Sequence, residues 1–473
     1  MPGENKMGTM PIGKLLLTMA LPLVLSMLVQ AFYNVVDSYF VSLISADNAD
    51  ANTALSLAFP IQNLQIGFAT GAAVGMNSLL SKSLGEGNRK QANRAAGNGI
   101  TLTLLFVAIF MIFGLVGVPA YYSVFDANET TAAYGISYTS ICSIFCFGSF
   151  IAILGERLLQ SSGRSIYTMV TQGTGAVVNI LLDPLFILGS EGLSQLIGFD
   201  LPFYVPRMEV TGAAIATVIA QWVSGILAVI FNLTKNPDLD FRLRYLLPKK
   251  EILGKILAVG VPSIIMMAIG SVMNFCMNQI FMSFSDTYGQ TPTAVFGIYF
   301  KLQSFFFMPL FGINNAAISI IAFNYGAKKP QRIIGTLKRS VAVALTIMCV
   351  GLAVFQLIPD VLMGLFESAE DKSASDLVRF GISALRIVSL NFPFAAIGIA
   401  LSASFPALGN GIYSTITSLC RQLVVLVPAA FLLSLTGNVS TVWWSFPLAE
   451  IVSSVITIWL FIRIYRKKVK PLY

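Results

Sequence analysis

Apolar stretches of about twenty residues or more recur twelve times along this chain of 473 residues. They lie at roughly 12–44, 53–80, 95–118, 131–155, 163–188, 210–233, 252–283, 293–323, 333–358, 377–401, 408–434 and 440–464. At 1.5 Å per residue each can cross about 30 Å of hydrocarbon as a helix. A membrane barrel would show alternating runs of about ten residues instead. In lipid only helices or closed barrels satisfy every backbone group. The predicted fold class is therefore an all-α polytopic membrane protein with twelve transmembrane helices. Charged residues are only 11% of the chain and hydrophobic ones 56%, whereas soluble domains carry about a quarter charged residues. That excludes a soluble enzyme, a disordered chain and a nucleic-acid binder.

The net charge of +8 reads as an orientation signal. With the N-terminus inside, most cations fall in loops on one side: Lys82, Arg89, Lys90 and Arg94; Arg157 and Arg164; the 235–255 group; the 328–339 group; and the tail from Arg463 to Lys470. The opposite loops collect acids such as Asp47, Asp126, Glu191, Asp200 and Glu367. The positive-inside rule then places both termini in the cytoplasm. The first apolar run, through Pro22 to Ile44, is too long for a signal-peptide core and is expected to stay as a helix.

The charged loop Thr234–Lys250 divides the chain, and the second half repeats the first. Ala20–Pro22 returns as Gly260–Pro262 and Asn34 as Asn274. One residue further in offset, Phe59, Gln62, Gly71, Ser78 and Gly85 return as Phe300, Gln303, Gly312, Ser319 and Gly326. Six spans per half, an even number, imply a parallel repeat about an axis along the membrane normal. The expected organisation is an N-terminal lobe (1–233), a cytoplasmic linker (234–250) and a C-terminal lobe (251–473). Two such lobes suit alternating access.

No His occurs, which removes His metal sites, Ser-His-Asp triads and His proton relays. Cys142, Cys146, Cys276, Cys349 and Cys420 all sit in apolar stretches and read as small buried residues without a disulfide framework. No Gly-Lys-Ser/Thr nucleotide motif is present, so primary transport is not indicated. No cofactor is expected.

Four acids lie within spans: Asp37, Glu156, Asp183 and Glu450. A charge at mid-membrane costs about 2.5–3.5 kcal/mol on insertion scales, so each is a functional candidate. Asn34 and Asp37 share one helix face, and so do Asn179 and Asp183. With Thr217 they offer hard oxygens from three helices, which suits Na⁺. The same set suits a proton equally. The second half places Asn274, Met277 and Asn278 where the first has Asn34, Asp37 and Ser38. The missing acid assigns ion coupling to the N-terminal lobe. Glu450 lacks a carboxylate partner in its half, and Lys301, Arg386 and Arg421 are the intramembrane cations. Pro22 and Pro262 can kink their helices and are expected to act as hinges.

Several segments resemble the MATE (multidrug and toxic compound extrusion) transporter family, prokaryotic branch. They are LPLVLSMLVQAFYNVVDSYFVS, SLGEGNRKQA, LGERLLQSSGRSIYTMVTQGTGAVVNILLDPLFI, GAAIATVIAQ, RQLVVLVP and WWSFPLAE. The resemblance implies a secondary antiporter, not an enzyme, that exports amphipathic organic cations in exchange for H⁺ or Na⁺ across a bacterial cytoplasmic membrane. It assigns Asp37, Asn179, Asp183 and Thr217 to the ion site, with Glu156 nearby. Candidates for the substrate cavity are Gln30, Tyr33, Asn34, Gln62, Gln65, Met273 and Asn274. A monomer is expected. The alternative is a lipid-linked oligosaccharide flippase of the related superfamily, against which twelve spans and few intramembrane cations argue. An intramembrane enzyme would need a positioned nucleophile or acid pair, and no such signature surrounds Asp37 and Asp183.

Overall fold

The computed structural model describes the backbone of residues 5–45, 49–124, 128–200, 202–289, 291–364 and 374–473. Side chains are described for all of these except 33–35, 37–39, 41–45, 49–52, 197 and 374–376. Among the described residues there is no strand.

In the first half, helices cover Ile12–Ser45, Ala49–Gly85, Arg89–Ile112, Glu129–Ile144 with Phe147–Ser161, Ser165–Ile197 and Glu209–Lys235. In the second they cover Lys250–Met282, Thr291–Gly326, Pro330–Leu357, Ala374–Ser389 with Phe392–Ser402, and Ser445–Ile464. Gly411–Leu419 continues through a π turn at Cys420–Val424 into Leu426–Ser434. Nine described helices are long and apolar enough to cross a membrane, or up to eleven if two bent pairs each count as one. The pairs bend by 46° after Ile144 and by 48° after Ser389. Ala49–Gly85 is not among them, because Gln62, Asn63, Gln65 and Asn77 lower its hydropathy. With it, each of the twelve expected segments carries a helix.

The chain forms two compact units that are not contiguous halves. One joins the chain up to Val24 with Ile265–Tyr473; the other is Leu25–Ile264. Each half therefore lends the other the start of its first long helix, and each crossover follows two residues after a proline, Pro22 or Pro262. Glycines explain how the lent pieces seat. A Cβ on Gly75 would stand 2.1 Å from the Ile256 carbonyl oxygen, and one on Gly71 would stand 2.7 Å from that of Gly260. Small residues let helix backbones meet, the usual basis of helix association in lipid. In the other unit a Cβ on Gly312, the repeat mate of Gly71, would meet the Val24 nitrogen at 2.9 Å.

The cores differ in character. In the 25–264 unit, Ala69, Ala72, Ala73 and Met76 pack on Ala92, Ala95 and Ala96. In the other unit, Trp443 is 1% exposed among Phe281, Phe296 and Phe446, with its ring 4.5 Å from that of Phe281. Tilted and edge-on aromatic pairs of this kind add about 0.5–1.5 kcal/mol each beyond area burial.

Candidate functional site in the 25–264 unit

The Ser165–Ile197 helix carries two polar stations. Asn179 and Asp183, one turn apart, are buried, and the Asn179 amide donates to Asp183 Oδ1 at 3.1 Å. Asp183 is 1% exposed. Thr217, on the Glu209–Lys235 helix, is half-buried. That helix lies close because Gly175 faces Ser224, whose Oγ donates to the Thr171 carbonyl at 3.1 Å, and because Gly212 faces the backbone of Phe186.

The second station surrounds Glu156, on the Phe147–Ser161 helix. Its carboxylate accepts from Gln172 Nε2 at 2.7 Å and from Thr171 Oγ1 at 3.2 Å. The adjacent Arg157 donates to Gln160 at 2.9 Å. Gln172 and Asp183 are eleven residues apart on one helix, about 16 Å at 1.5 Å per residue. Glu156 thus has its own partners, roughly two to three turns from the Asn179–Asp183 pair.

Asp37, Asn34 and Tyr33 lie on the Ile12–Ser45 helix, outside the described side chains. Gln30, on that helix, is half-buried. Gln62 Nε2 donates to the Tyr138 hydroxyl at 2.9 Å, and the buried Gln65 donates to Ser143 Oγ at 2.7 Å. Both amides thus fasten Ala49–Gly85 to Glu129–Ile144. In the other unit Met273 belongs to the hydrophobic core and Asn274 is half-buried. Pro22 and Pro262 both lie within continuous helices.

Two features were not visible in sequence. Gln172 as the partner of Glu156 was one; its signal is a polar i, i+3/i+4 face of Thr168, Thr171 and Gln172. The other is an ion pair in the second unit, Arg421 Nη1 to Glu450 Oε1 at 3.9 Å. The π turn at Cys420–Val424 carries Arg421, and no helical spacing rule would pair it across helices. Lys301 and Arg386 are exposed. Among the described residues no group of three His, Cys, Asp or Glu could hold a metal ion.

The profile of the MatE family matches the chain twice, over residues 22–185 and 262–432, together well over half its length. The second match opens 240 residues after the first, the offset at which Asn34 returns as Asn274. The multidrug export protein MepA of Staphylococcus haemolyticus is 24% identical over 449 residues, covering 95% of this chain and 93% of the relative. A FAD transporter of Shewanella oneidensis is 25% identical over 459 residues, covering 96% and 95%. Among solved structures, the outward-facing conformation of a multidrug resistance MATE transporter of the MOP superfamily superposes with a TM-score of 0.87 at 23% identity. It covers 99% of this chain and 98% of that one.

Proposed function

Because the chain belongs to the MatE family of membrane transporters, we propose that it is a multidrug efflux antiporter, exporting amphipathic organic cations in exchange for H⁺ or Na⁺ by alternating access. The observation that carries this reading is the Asn179–Asp183 pair, a carboxylate 1% exposed within a helix long and apolar enough to cross a membrane. A proton on Asp183 removes the charge. A Na⁺ would take oxygens of Asp183, Asn179 and Thr217, with Asp37 and Asn34 as further ligands. Either ion offsets the cost of a bare carboxylate in lipid. Pro22 shares a helix with Asp37, so occupancy of the ion site can act on the bend at Pro22, with Pro262 as its counterpart. The protein works as a monomer in the cytoplasmic membrane of a bacterium, with both termini inside.

The driving force limits the stoichiometry. One charge crossing 100 mV supplies about 2.3 kcal/mol, and a tenfold gradient costs about 1.4 kcal/mol. One ion sustains a gradient of more than tenfold for a neutral substrate. A monovalent cation leaving against the potential cancels that electrical gain, so the ion's own gradient or a second ion must drive it.

The test is ethidium efflux from proteoliposomes under an imposed pH or Na⁺ gradient. Gradient-driven export that Asp183→Asn abolishes supports antiport; export indifferent to both gradients refutes it. The likeness to a FAD transporter, as great as that to MepA, favours a second reading in which the cargo is a flavin dinucleotide. Vesicles loaded with FAD in place of ethidium decide between the two.

A further inference from the structure

Next to the exchanged helix, the 25–264 unit builds a basic cavity. Its construction begins on the Arg89–Ile112 helix, which presents Asn93, Gly97, Asn98 and Thr101 to the loop that enters Lys250–Met282. Asn93 Oδ1 accepts from the Asp240 amide at 3.0 Å, and Asn98 Oδ1 accepts from that of Lys249 at 2.7 Å. Thr101 Oγ1 donates to the Leu246 carbonyl at 2.5 Å. Gly97 lets the loop touch the helix, since a Cβ there would stand 2.1 Å from the Tyr245 carbonyl oxygen. This seat fixes the start of Lys250–Met282 beside the start of Arg89–Ile112.

Between the two helix starts lies a cavity of about 300 Å³ lined by Lys90, Arg94, Lys249, Lys255, Glu251 and Ile252, together with the Asn88 and Gln91 amides. Four cations face one carboxylate. That carboxylate is engaged with Lys255 at 2.6 Å. Among the described residues Lys90, Arg94 and Lys249 form no ion pair. The corresponding turn of the other unit is filled by the chain itself. There Lys329 Nζ donates to the Gly8 carbonyl at 2.9 Å, and Arg332 Nη2 donates to those of Met7 and Met10 at 2.9 and 2.8 Å. By the offset that carries Gly85 to Gly326, Lys329 and Arg332 stand where this unit has Asn88 and Gln91, so the cations of that turn are satisfied by the chain, whereas Lys90 and Arg94, replaced there by Gln331 and Gly335, border an open cavity here.

We propose that this cavity binds a phosphate group, supplied by the headgroup of an anionic phospholipid. Arg94 provides a planar donor fork for phosphate oxygens, and the lysines provide point charges. Both helix N-termini favour an anion at the same place. Both helices are long and apolar enough to cross a membrane, so the cavity sits at a membrane surface whichever side faces in. There a headgroup can enter while its acyl chains stay in the bilayer. Basic pockets between membrane helices bind such headgroups. The volume is at the lower end for small-ligand sites and suits a single phosphate with a small substituent. The proposal is independent of which cargo is transported and of the coupling ion.

The test is binding to the full-length protein in neutral phosphatidylcholine nanodiscs, read by native mass spectrometry. Phosphatidylglycerol is titrated in one arm and inorganic pyrophosphate in the other. Each cation removed should weaken binding about fivefold, so Lys90→Gln, Arg94→Gln and Lys249→Gln combined should lose roughly a hundredfold. Glu251→Gln should tighten binding, which a folding defect would not do. A matched triple variant at exposed cations that do not line the cavity, Lys338→Gln, Lys467→Gln and Lys470→Gln, should bind as the parent does. Pyrophosphate binding with the same variant pattern, and no lipid retention, would keep the phosphate site but overturn its lipid source. Equal lipid and pyrophosphate binding by parent and cavity variants, or equal losses in the triple variant outside the cavity, would overturn the site.

Discussion

Replacing Gly75 by alanine tests how the exchanged helix segment is held. The added Cβ would lie 2.1 Å from the Ile256 carbonyl oxygen, 3.0 Å from its carbon and 3.1 Å from the Gly260 nitrogen. All three are backbone atoms, so no side chain can swing aside. The helices must separate by roughly 1 Å to reach ordinary contact, and overpacking of this kind costs about 1–3 kcal/mol. Alanine recovers about 0.5–1 kcal/mol of helix propensity, so the net change runs from about zero to a loss of about 2.5 kcal/mol. Gly254, in the lent segment itself, has nothing within 4 Å of its Cβ position. Gly254→Ala should therefore gain about 0.5–1 kcal/mol from propensity alone. The assay is the half-life of monodisperse protein in detergent at a fixed elevated temperature, since membrane proteins often unfold irreversibly. Both variants share the propensity gain and differ by the packing cost alone, so at about 1.4 kcal/mol per factor of ten Gly75→Ala should decay about fivefold to a hundredfold faster than Gly254→Ala. Equal half-lives, or a longer-lived Gly75→Ala, would refute close packing of residues 250–264 in this unit.

Arg421→Ala leaves Glu450 buried without its cation and should destabilise the protein by about 1–3 kcal/mol, below the value for a fully buried pair because Arg421 is partly exposed. Adding Glu450→Gln should restore most of the loss in the same half-life measurement. Gly189 adopts φ +74°, and a Cβ there would meet Arg207 N at 2.8 Å and Val205 O at 2.9 Å. Gly189→Ala should lose more than about 1 kcal/mol, visible as faster proteolysis of the 190–208 connection. Gln65→Leu leaves Ser143 without its donor and should cost about 1 kcal/mol, with ion dependence of transport unchanged if Gln65 only fastens the two helices.

The apolar segments and the two-fold repeat were legible because bilayer thickness sets segment length and duplicated sequence keeps its spacing. The repeat even marked Gly71 and Gly312, which accept the two lent helix starts. The exchange itself was not legible: the sequence shows a kink-prone Pro22 but not the surface against which the preceding residues pack. Polar side chains were harder still. The i, i+4 spacing of Asn179 and Asp183 fixes a shared face, and the two are hydrogen-bonded. Gln62 and Gln65 carry no comparable local mark. Their partners Tyr138 and Ser143 come from another helix, and only tertiary packing separates a fastening amide from one that faces a cavity. Met273 illustrates the same ambiguity, since an apolar side chain on a polar-flanked helix reads alike in a core or a cleft.

The most direct test of ion coupling through the 25–264 unit is ethidium efflux by Asp183→Asn in proteoliposomes, compared with the parent at matched reconstitution under imposed pH and Na⁺ gradients. Efflux that loses its response to the driving gradient, while equilibrium ethidium binding persists, is the predicted result. An unchanged response to both gradients in Asp183→Asn combined with Asp37→Asn would contradict it.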